Sequence, residues 1–374
     1  MAATVNEILQ DAAVSHALDL LQYSNGVVRR IIGLLNRVDA DLAAALSVAL
    51  ESMDATQFSV ERLEGLLQSV RMLNAQAYAA VGRELTEEMR KLATEEVGYQ
   101  LQLFETVIPA QVRASVGVAA VDAGQVYAAA MARPFQGRLL AEWSRSLEAD
   151  RMARIRDAVR IGFVEQQPIG DIVRRVRGTR AKGYADGLLE IDRRNAEAVV
   201  RTAVGHTAGF ARDRFMEGNG DLVKAQVWTS TLDSRTSPPC RLRDGKQYTP
   251  KSPYKPIGHS LPWLGGPGRI HWNCRSTAVP VVKSWKELGG NDLPEFTPTE
   301  RSSMDGVVPA DQDYGSWLKK QSAKRQDEIL GDTRGALIRR GGLDIEQFAN
   351  DKGRWLTIDE LRERNRAAFE RAGI

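Results

Sequence analysis

Two cysteines and two of the four histidines fall within residues 233 to 275, and these are residue types that bind zinc. Cys240 stands apart from His271 and Cys274, which are three residues from each other and can face one point in space. A closed tetrahedral zinc site needs a fourth ligand, and the sequence offers four candidates for it: Asp244, Asp233, His259 and His206.

The same stretch also fits a loop without a metal, in which the cysteines are small buried apolar groups. Asp233 and the pair Asp244-Gly245 are turn formers, because a short carboxylate accepts backbone N–H bonds and glycine accepts a positive φ. The shortage of ligands favours this metal-free loop, stabilised by packing and hydrogen bonds around Trp263, Trp272, Asp244 and Arg275, with bound zinc as the alternative.

Two predicted strands flank the loop and must position it. Residues 224–231 alternate between apolar and polar side chains, and residues 275–282 are rich in β-branched residues. About forty residues rich in Pro, Gly and Ser separate them. We expect the two strands to pair in one sheet.

The rest of the chain has helical periodicity. The overall prediction is an α+β protein that is predominantly α-helical, with a helical N-terminal region, a small mixed α/β domain containing a short sheet and a long Pro/Gly loop, and a helical C-terminal tail. In the tail, residues 314–321 and 323–330 read as short helices, and Thr357 with Glu360 forms a capping box. The predicted segments are a helical bundle or coiled coil (1–135), an arginine-rich helical region (136–220), the α/β domain (221–285), a linker (286–313) and the tail (314–374).

Two helical features have more than one interpretation. Apolar residues spaced by three and four from Leu63 to Ala80 form a seam that either packs within its own bundle or binds a partner helix. Arginines cluster from Arg151 to Arg180, either as a solvated face of mixed charge or as a phosphate-binding surface.

Composition excludes some classes of protein. The 51 Lys and Arg against 48 Asp and Glu leave a formal charge of +3, well short of a DNA-coating protein. No stretch approaches the ~18 apolar residues of a membrane span, and two cysteines cannot form a disulfide scaffold. We expect no membrane span, and a protein made in a reducing cytoplasm.

The loop residues closely resemble those of phage head morphogenesis proteins of the Mu F-like kind, also called minor head or minor capsid proteins. The segments that carry the resemblance are Trp228-Thr-Ser-Thr-Leu-Asp-Ser-Arg-Thr-Ser-Pro-Pro-Cys-Arg-Leu-Arg-Asp-Gly-Lys246 and His271-Trp-Asn-Cys-Arg275. The motif residues are Asp233, Arg235, Asp244, Gly245, Trp272, Asn273 and Arg275. Ser237 and Ser276 stand where the family often has cysteines. The tail, including Asp313-Tyr-Gly-Ser-Trp317, is similar to the C-terminal extension of such proteins.

The resemblance implies a structural protein of the virion that acts in head morphogenesis at the portal or capsid interior, and in DNA packaging or ejection. It implies the portal protein as partner, then the major capsid or scaffold protein, and weak contact with packaged DNA. No enzymatic activity follows from it. The alternatives are a metal-dependent or Cys/His enzyme acting on nucleic acid or nucleotide, and a plain DNA-binding protein.

Overall fold

The computed structural model describes residues 5–52, 60–288, 301–303, 306–309 and 312–374. Over these residues the protein is predominantly helical, with fourteen α-helices and a small four-stranded antiparallel sheet. The predicted fold class is confirmed. No helix in these ranges is long and apolar enough to cross a membrane.

The described chain divides into two compact units, each assembled from separate stretches of sequence. Unit 1 comprises Met1–Leu20, Ala93–Val126 and Ala208–Ile374, and unit 2 comprises Leu21–Leu92 and Tyr127–Thr207. The segment boundaries suggested by the sequence remain predictions.

Of the eight α-helices described before the sheet, four are long, with 25 to 47 residues. They are α1 (Val5–Glu51), α2 (Val60–Leu66), α3 (Gln68–Val107), α4 (Ala110–Val116), α5 (Ala123–Met131), α6 (Leu140–Val164), α7 (Ile169–Arg177) and α8 (Leu189–Gly218). A short 3-10 helix, Arg180–Lys182, lies between α7 and α8.

The apolar seam that begins at Leu63 packs inside unit 2. Leu63, Val70 and Ala77 are buried, and the first two join a core with residues of α1, α6 and α7 such as Leu46 and Ile155. These side chains are already removed from water, which is the usual fate of such a seam. The packing alternative is therefore confirmed for these residues, while Leu66, Leu73 and Ala80 are half-buried. Binding of a partner helix by the seam stays a prediction.

The arginine-rich helices are held by carboxylates. Arg151 is only 1% exposed and pairs with Asp39, which also accepts from Arg193 Nη2 at 2.5 Å. Arg154 pairs with Asp192. More exposed pairs in unit 2 are Arg156 with Glu64, Arg174 with Asp171, and Arg175 with Glu165.

The last turn of α6 packs closely on α7 at a glycine. A Cβ at Gly162 would lie 2.4 Å from Cγ1 of Ile172, closer than real Cβ contacts. Gly162 therefore allows the two helices to approach each other.

The sheet has the strand order β3-β2-β1-β4. Its strands are β1 (Val223–Thr229), β2 (Gln247–Tyr248), β3 (Pro256–Ile257) and β4 (Thr277–Val282), with the six-residue helix α9 (Pro238–Arg243) between β1 and β2. β1 and β4 pair antiparallel, with Val227 opposite Val279 and Thr229 opposite Thr277. The predicted pairing of these two segments is confirmed. β1 ends at Thr229 because the next N–H, of Ser230, donates to the Asp244 carboxylate instead of a neighbouring strand.

The C-terminal elements are short and form their own core within unit 1. They are α10 (Tyr314–Lys319), α11 (Ala323–Leu330), α12 (Asp332–Arg339), a 3-10 helix (Ile345–Phe348), α13 (Ile358–Arg364) and α14 (Arg366–Ala372). Their core includes Trp317, Leu337 and Phe348, together with Leu232 from the loop after β1. Thr357 and Glu360 exchange the two bonds of the predicted capping box.

The predicted linker, 286–313, lies largely outside the described residues. Within its described residues, Arg301–Ser303 (β5) and Gly306–Val308 (β6) pair antiparallel. The tail that follows belongs to the same compact unit as the loop. Residues of the loop and of the tail share one core.

Candidate functional site

The two halves of the loop motif meet because β1 and β4 are antiparallel neighbours. The chain leaves β1 at Thr229, opposite the start of β4 at Thr277, so the segments after one strand and before the other lie at the same edge. α9 begins after Ser237 with proline at its first position, where a missing N–H costs nothing. One turn into α9, Cys240 is buried near Cys274.

Cys240, His271 and Cys274 converge on one point. The Cys240 and Cys274 Sγ atoms are 3.7 Å apart, and His271 Nε2 is 3.3 Å from Cys240 Sγ. One ligand atom from each residue lies within 4.8 Å of the other two. The other ring nitrogen, Nδ1, is 2.8 Å from the Trp272 carbonyl oxygen. Because a carbonyl only accepts, Nδ1 carries a proton and Nε2 faces the sulfurs.

The three groups shift one another's protonation. A hydrogen bond from the Cys240 thiol lowers the pKa of Cys274 well below its usual range against the opposing effect of burial, and His271 adds to this. The same contact, with burial, raises the pKa of Cys240. Burial acts to lower the pKa of His271, but the hydrogen bond and charge of Cys274 outweigh it and raise that pKa. The cluster therefore favours one thiolate beside a basic imidazole.

Serine hydroxyls border this cluster. Ser237 Oγ lies 2.7 Å from His271 Nε2. Ser276 Oγ is 3.1 Å from Ser230 Oγ, which in turn donates to the Cys240 carbonyl at 3.0 Å. Ser237 and Ser276 thus both border the Cys/His group.

The structure brings together Cys240, His271 and Cys274, but none of the candidates for a fourth ligand. Asp244 is not in the group; its Oδ1 accepts the Ser230 N–H at 2.7 Å. The other candidates for a fourth ligand also lie elsewhere among the described residues: His259 Nε2 is 2.9 Å from the Gln247 carbonyl oxygen, and His206, in unit 2, is 2.9 Å from that of Ala130.

Asp233 and Arg275 join the two motif segments. Arg275 donates Nη1 to Oδ2 at 2.5 Å and Nη2 to Oδ1 at 2.8 Å. The Asp233 carboxylate also accepts from the Arg235 N–H at 3.0 Å and from Thr236 Oγ1 at 3.1 Å. Burial opposes ionisation, but these donors hold the pKa of Asp233 below its usual range. The Arg235 side chain itself is exposed.

Asp244 and Gly245 form the predicted turn. Gly245 has a φ of +76°, which favours glycine, and its N–H donates to the Trp228 carbonyl at 2.8 Å. The Trp228 N–H donates in return to the Lys246 carbonyl at 2.9 Å. The turn therefore continues the hydrogen bonding of β1 with the chain that leads to β2.

The tryptophans divide between core and surface. Trp263 packs edge-on to Trp228 and Tyr248, with ring centroids 5.5 and 4.9 Å apart. The prediction that the loop packs around Trp263 is confirmed. Trp272 is 36% exposed and lies at the surface, so its predicted role in packing is corrected. The neighbouring Asn273 has a φ of +55°, which places its backbone in a left-handed bend just before Cys274.

Two buried arginines received no role from the sequence. Arg241 donates to the carbonyls of Thr236, Ser234 and Ile329, at 2.5, 3.3 and 3.1 Å. Arg243 donates to the carbonyls of Pro239 and Pro262, both at 2.9 Å. In the sequence these arginines alternate with Cys240 and Leu242. Because the six-residue helix α9 is too short to have a separate polar face, this alternation is the signal that could have indicated their burial.

The fold and site define a predominantly helical α+β protein with a Cys/His group at one edge of a small sheet. No family model, no curated protein and no solved structure matches the chain.

Proposed function

We propose that this chain is a structural minor head protein of a tailed bacteriophage, of the Mu F-like kind, which acts in head morphogenesis at the portal or capsid interior. The observation that carries the proposal is the motif that runs from Asp233 to Arg275. Its two segments resemble those of Mu F-like proteins, and their outermost charged residues pair with each other through two hydrogen bonds.

The contacts of the motif favour a structural role over a catalytic one. Tyr314 at the start of α10 donates its hydroxyl to the Asp233 carbonyl at 2.7 Å, and Arg241 reaches the Ile329 carbonyl at the end of α11. Charged and polar groups of the motif thus hold the C-terminal helices on the loop. A motif that holds parts of the fold together is what we expect of a structural protein in a particle that must keep its shape.

The arginine-rich helices favour protein contacts over DNA as the main interaction. Arg151 and Arg154 are neutralised by Asp39 and Asp192, and a paired guanidinium gains less from a phosphate. Contact with packaged DNA is accordingly proposed as weak.

The C-terminal helices are the proposed portal-binding region, because the seam of α2 and α3 is buried in unit 2. The proposed location is the virion, with assembly in the host cytoplasm. The major capsid or scaffold protein is a further proposed partner, and a role in DNA packaging or ejection is proposed with it.

The test is co-expression of the full chain with the portal protein encoded in the same genome, with an affinity tag on either partner in turn. We expect the two to co-purify in both tag orientations. Asp233→Ala, which breaks the pair with Arg275 and so loosens the loop on which the C-terminal helices pack, should weaken the complex, while Lys224→Ala on exposed β1 surface serves as the matched control. Recovery of the wild-type chain without portal in both orientations would contradict the proposal.

A further inference from the structure

The Cys240, His271 and Cys274 group has the dimensions of three corners of a tetrahedral zinc site. Zinc binds thiolate sulfur at about 2.3 Å and imidazole nitrogen at about 2.0–2.1 Å. With tetrahedral angles, those bond lengths place two sulfurs about 3.8 Å apart and a sulfur about 3.6 Å from a nitrogen. The observed separations are 3.7 Å between the sulfurs and 3.3 Å between Cys240 Sγ and His271 Nε2.

The histidine is oriented as a zinc ligand requires. Its Nδ1 proton is engaged by the Trp272 carbonyl, so Nε2, 3.3 Å from Cys240 Sγ, is the nitrogen left to bind a metal. A backbone carbonyl on the remote nitrogen is a usual outer partner of a metal-bound histidine, because it fixes both the ring and the tautomer. The left-handed backbone at Asn273 turns the chain between His271 and Cys274 so that both side chains reach the same point.

Charge and burial also suit a divalent ion. Cys240 and Cys274 are 1% and 8% exposed, where an isolated thiolate is costly. Zinc with two thiolates and a neutral imidazole has no net charge, and binding releases the thiol protons to solvent.

The fourth corner is adjacent to Ser237. Its hydroxyl oxygen is 2.7 Å from His271 Nε2, shorter than the roughly 3.3 Å separation of nitrogen and oxygen ligands on one zinc. This hydroxyl hydrogen-bonds Nε2 in the structure, and once Nε2 binds a metal the hydroxyl becomes available to a ligand at the fourth corner. Water can reach the group from the surface, because Trp272 and Asn273 beside it are exposed.

We propose that Cys240, His271 and Cys274 bind one zinc ion, with a water held by Ser237 as the fourth ligand. The ion ties the start of α9 to the chain just before β4. This site stands independently of the proposed role in head assembly, since its evidence is the geometry of these side chains alone.

The test uses the purified full-length chain, reduced, stripped with a chelator and then titrated with zinc and with cobalt(II). We expect one metal per chain and a sulfur-to-cobalt charge-transfer band from two thiolates. His271→Ala and Cys274→Ser should weaken binding at least about 100-fold. The matched control is His259→Ala, the other loop histidine, whose variant should bind as the wild type does.

Ser237 provides a test that does not depend on loss of fold. Ser237→Cys should tighten zinc binding and strengthen the charge-transfer band by a third thiolate, while Ser237→Ala should weaken binding about 10-fold. The proposal is overturned if the reduced wild type retains no zinc, if His271→Ala binds as tightly as His259→Ala, or if Ser237→Cys leaves both affinity and band unchanged.

Discussion

The Asp233–Arg275 pair offers a sharp test of how the motif holds unit 1 together. The side chains are 10% and 26% exposed, and two hydrogen bonds of 2.5 and 2.8 Å join them. Exposed ion pairs contribute about 0–1 kcal/mol, whereas breaking a fully buried pair costs about 3–5 kcal/mol. The intermediate burial places Asp233→Ala between these values. We expect it to lower the free energy of unfolding by about 2–3 kcal/mol.

Tryptophan fluorescence is the appropriate assay, because six of the seven tryptophans lie in unit 1 and only Trp143 lies in unit 2. For a unit of this size, about 2–3 kcal/mol corresponds to a fall in melting temperature of roughly 4–12 °C. Lys224→Ala is the control: Lys224 is 48% exposed and 4.0 Å from its partner Glu287, so its loss should cost under about 0.5 kcal/mol.

A double-mutant cycle with Arg275→Ala isolates the pair itself. We expect a coupling free energy of about 1–2 kcal/mol between Asp233 and Arg275. A coupling near zero, or a loss in Asp233→Ala no larger than in Lys224→Ala, would refute the reasoning that this contact joins the two motif segments.

Three further perturbations give independent checks. The pKa of Asp233 is lowered in the folded protein, so its contribution to stability is present above its unfolded pKa of about 3.9 and is lost as the pH falls through the folded value. The difference in unfolding free energy between wild type and Asp233→Asn should therefore close on acidification, measured by urea unfolding with fluorescence detection. A difference that does not change with pH would contradict this. Tyr314→Phe removes the donor to the Asp233 carbonyl and should cost about 1 kcal/mol in the same assay, and an unchanged melting temperature would count against docking by this bond. Gly162→Ala forces a methyl group against Ile172 and should lower the stability of unit 2 by about 1–3 kcal/mol, measured by circular dichroism; a neutral effect would show that the α6–α7 contact relaxes freely.

Much of the fold follows from periodicity that is local in sequence. The alternation before Thr229 and the β-branched run after Arg275 predicted two strands, and the structure pairs them as β1 and β4. The capping box at Thr357 was equally readable, since its two bonds involve residues three apart. Such features need no knowledge of distant contacts.

The burial of several side chains could not be predicted from the sequence, because it depends on which surfaces contact each other in the fold. The helical seam at Leu63 has the same pattern whether it packs on its own bundle or on a partner, and only the arrangement in unit 2 shows that it is buried. Arg151 looked like a solvated charge, yet Asp39, far away in the chain, neutralises it in the interior. Trp272 was assigned to packing by residue type, while the bend at Asn273 leaves it at the surface.

The candidate site could be predicted only in part. Cys240, His271 and Cys274 were singled out by type and spacing, and they do converge. Asp244 was a reasonable metal ligand by residue type. In the structure its carboxylate accepts the Ser230 N–H instead, because the turn at Gly245 brings the two residues together. The place of Ser237 beside the histidine depends on the start of α9 and was not evident from sequence.

Mass spectrometry of purified particles tests the proposed role in head morphogenesis most directly. Under the proposed role the chain is encoded in a phage genome. Particles of that phage are purified, treated with nuclease and washed at high salt, and their proteins are quantified against the portal protein. The account predicts that the chain is retained in the particles at low copy number, together with portal. Absence of the chain from such particles, when it is abundant in the same lysate, would contradict it.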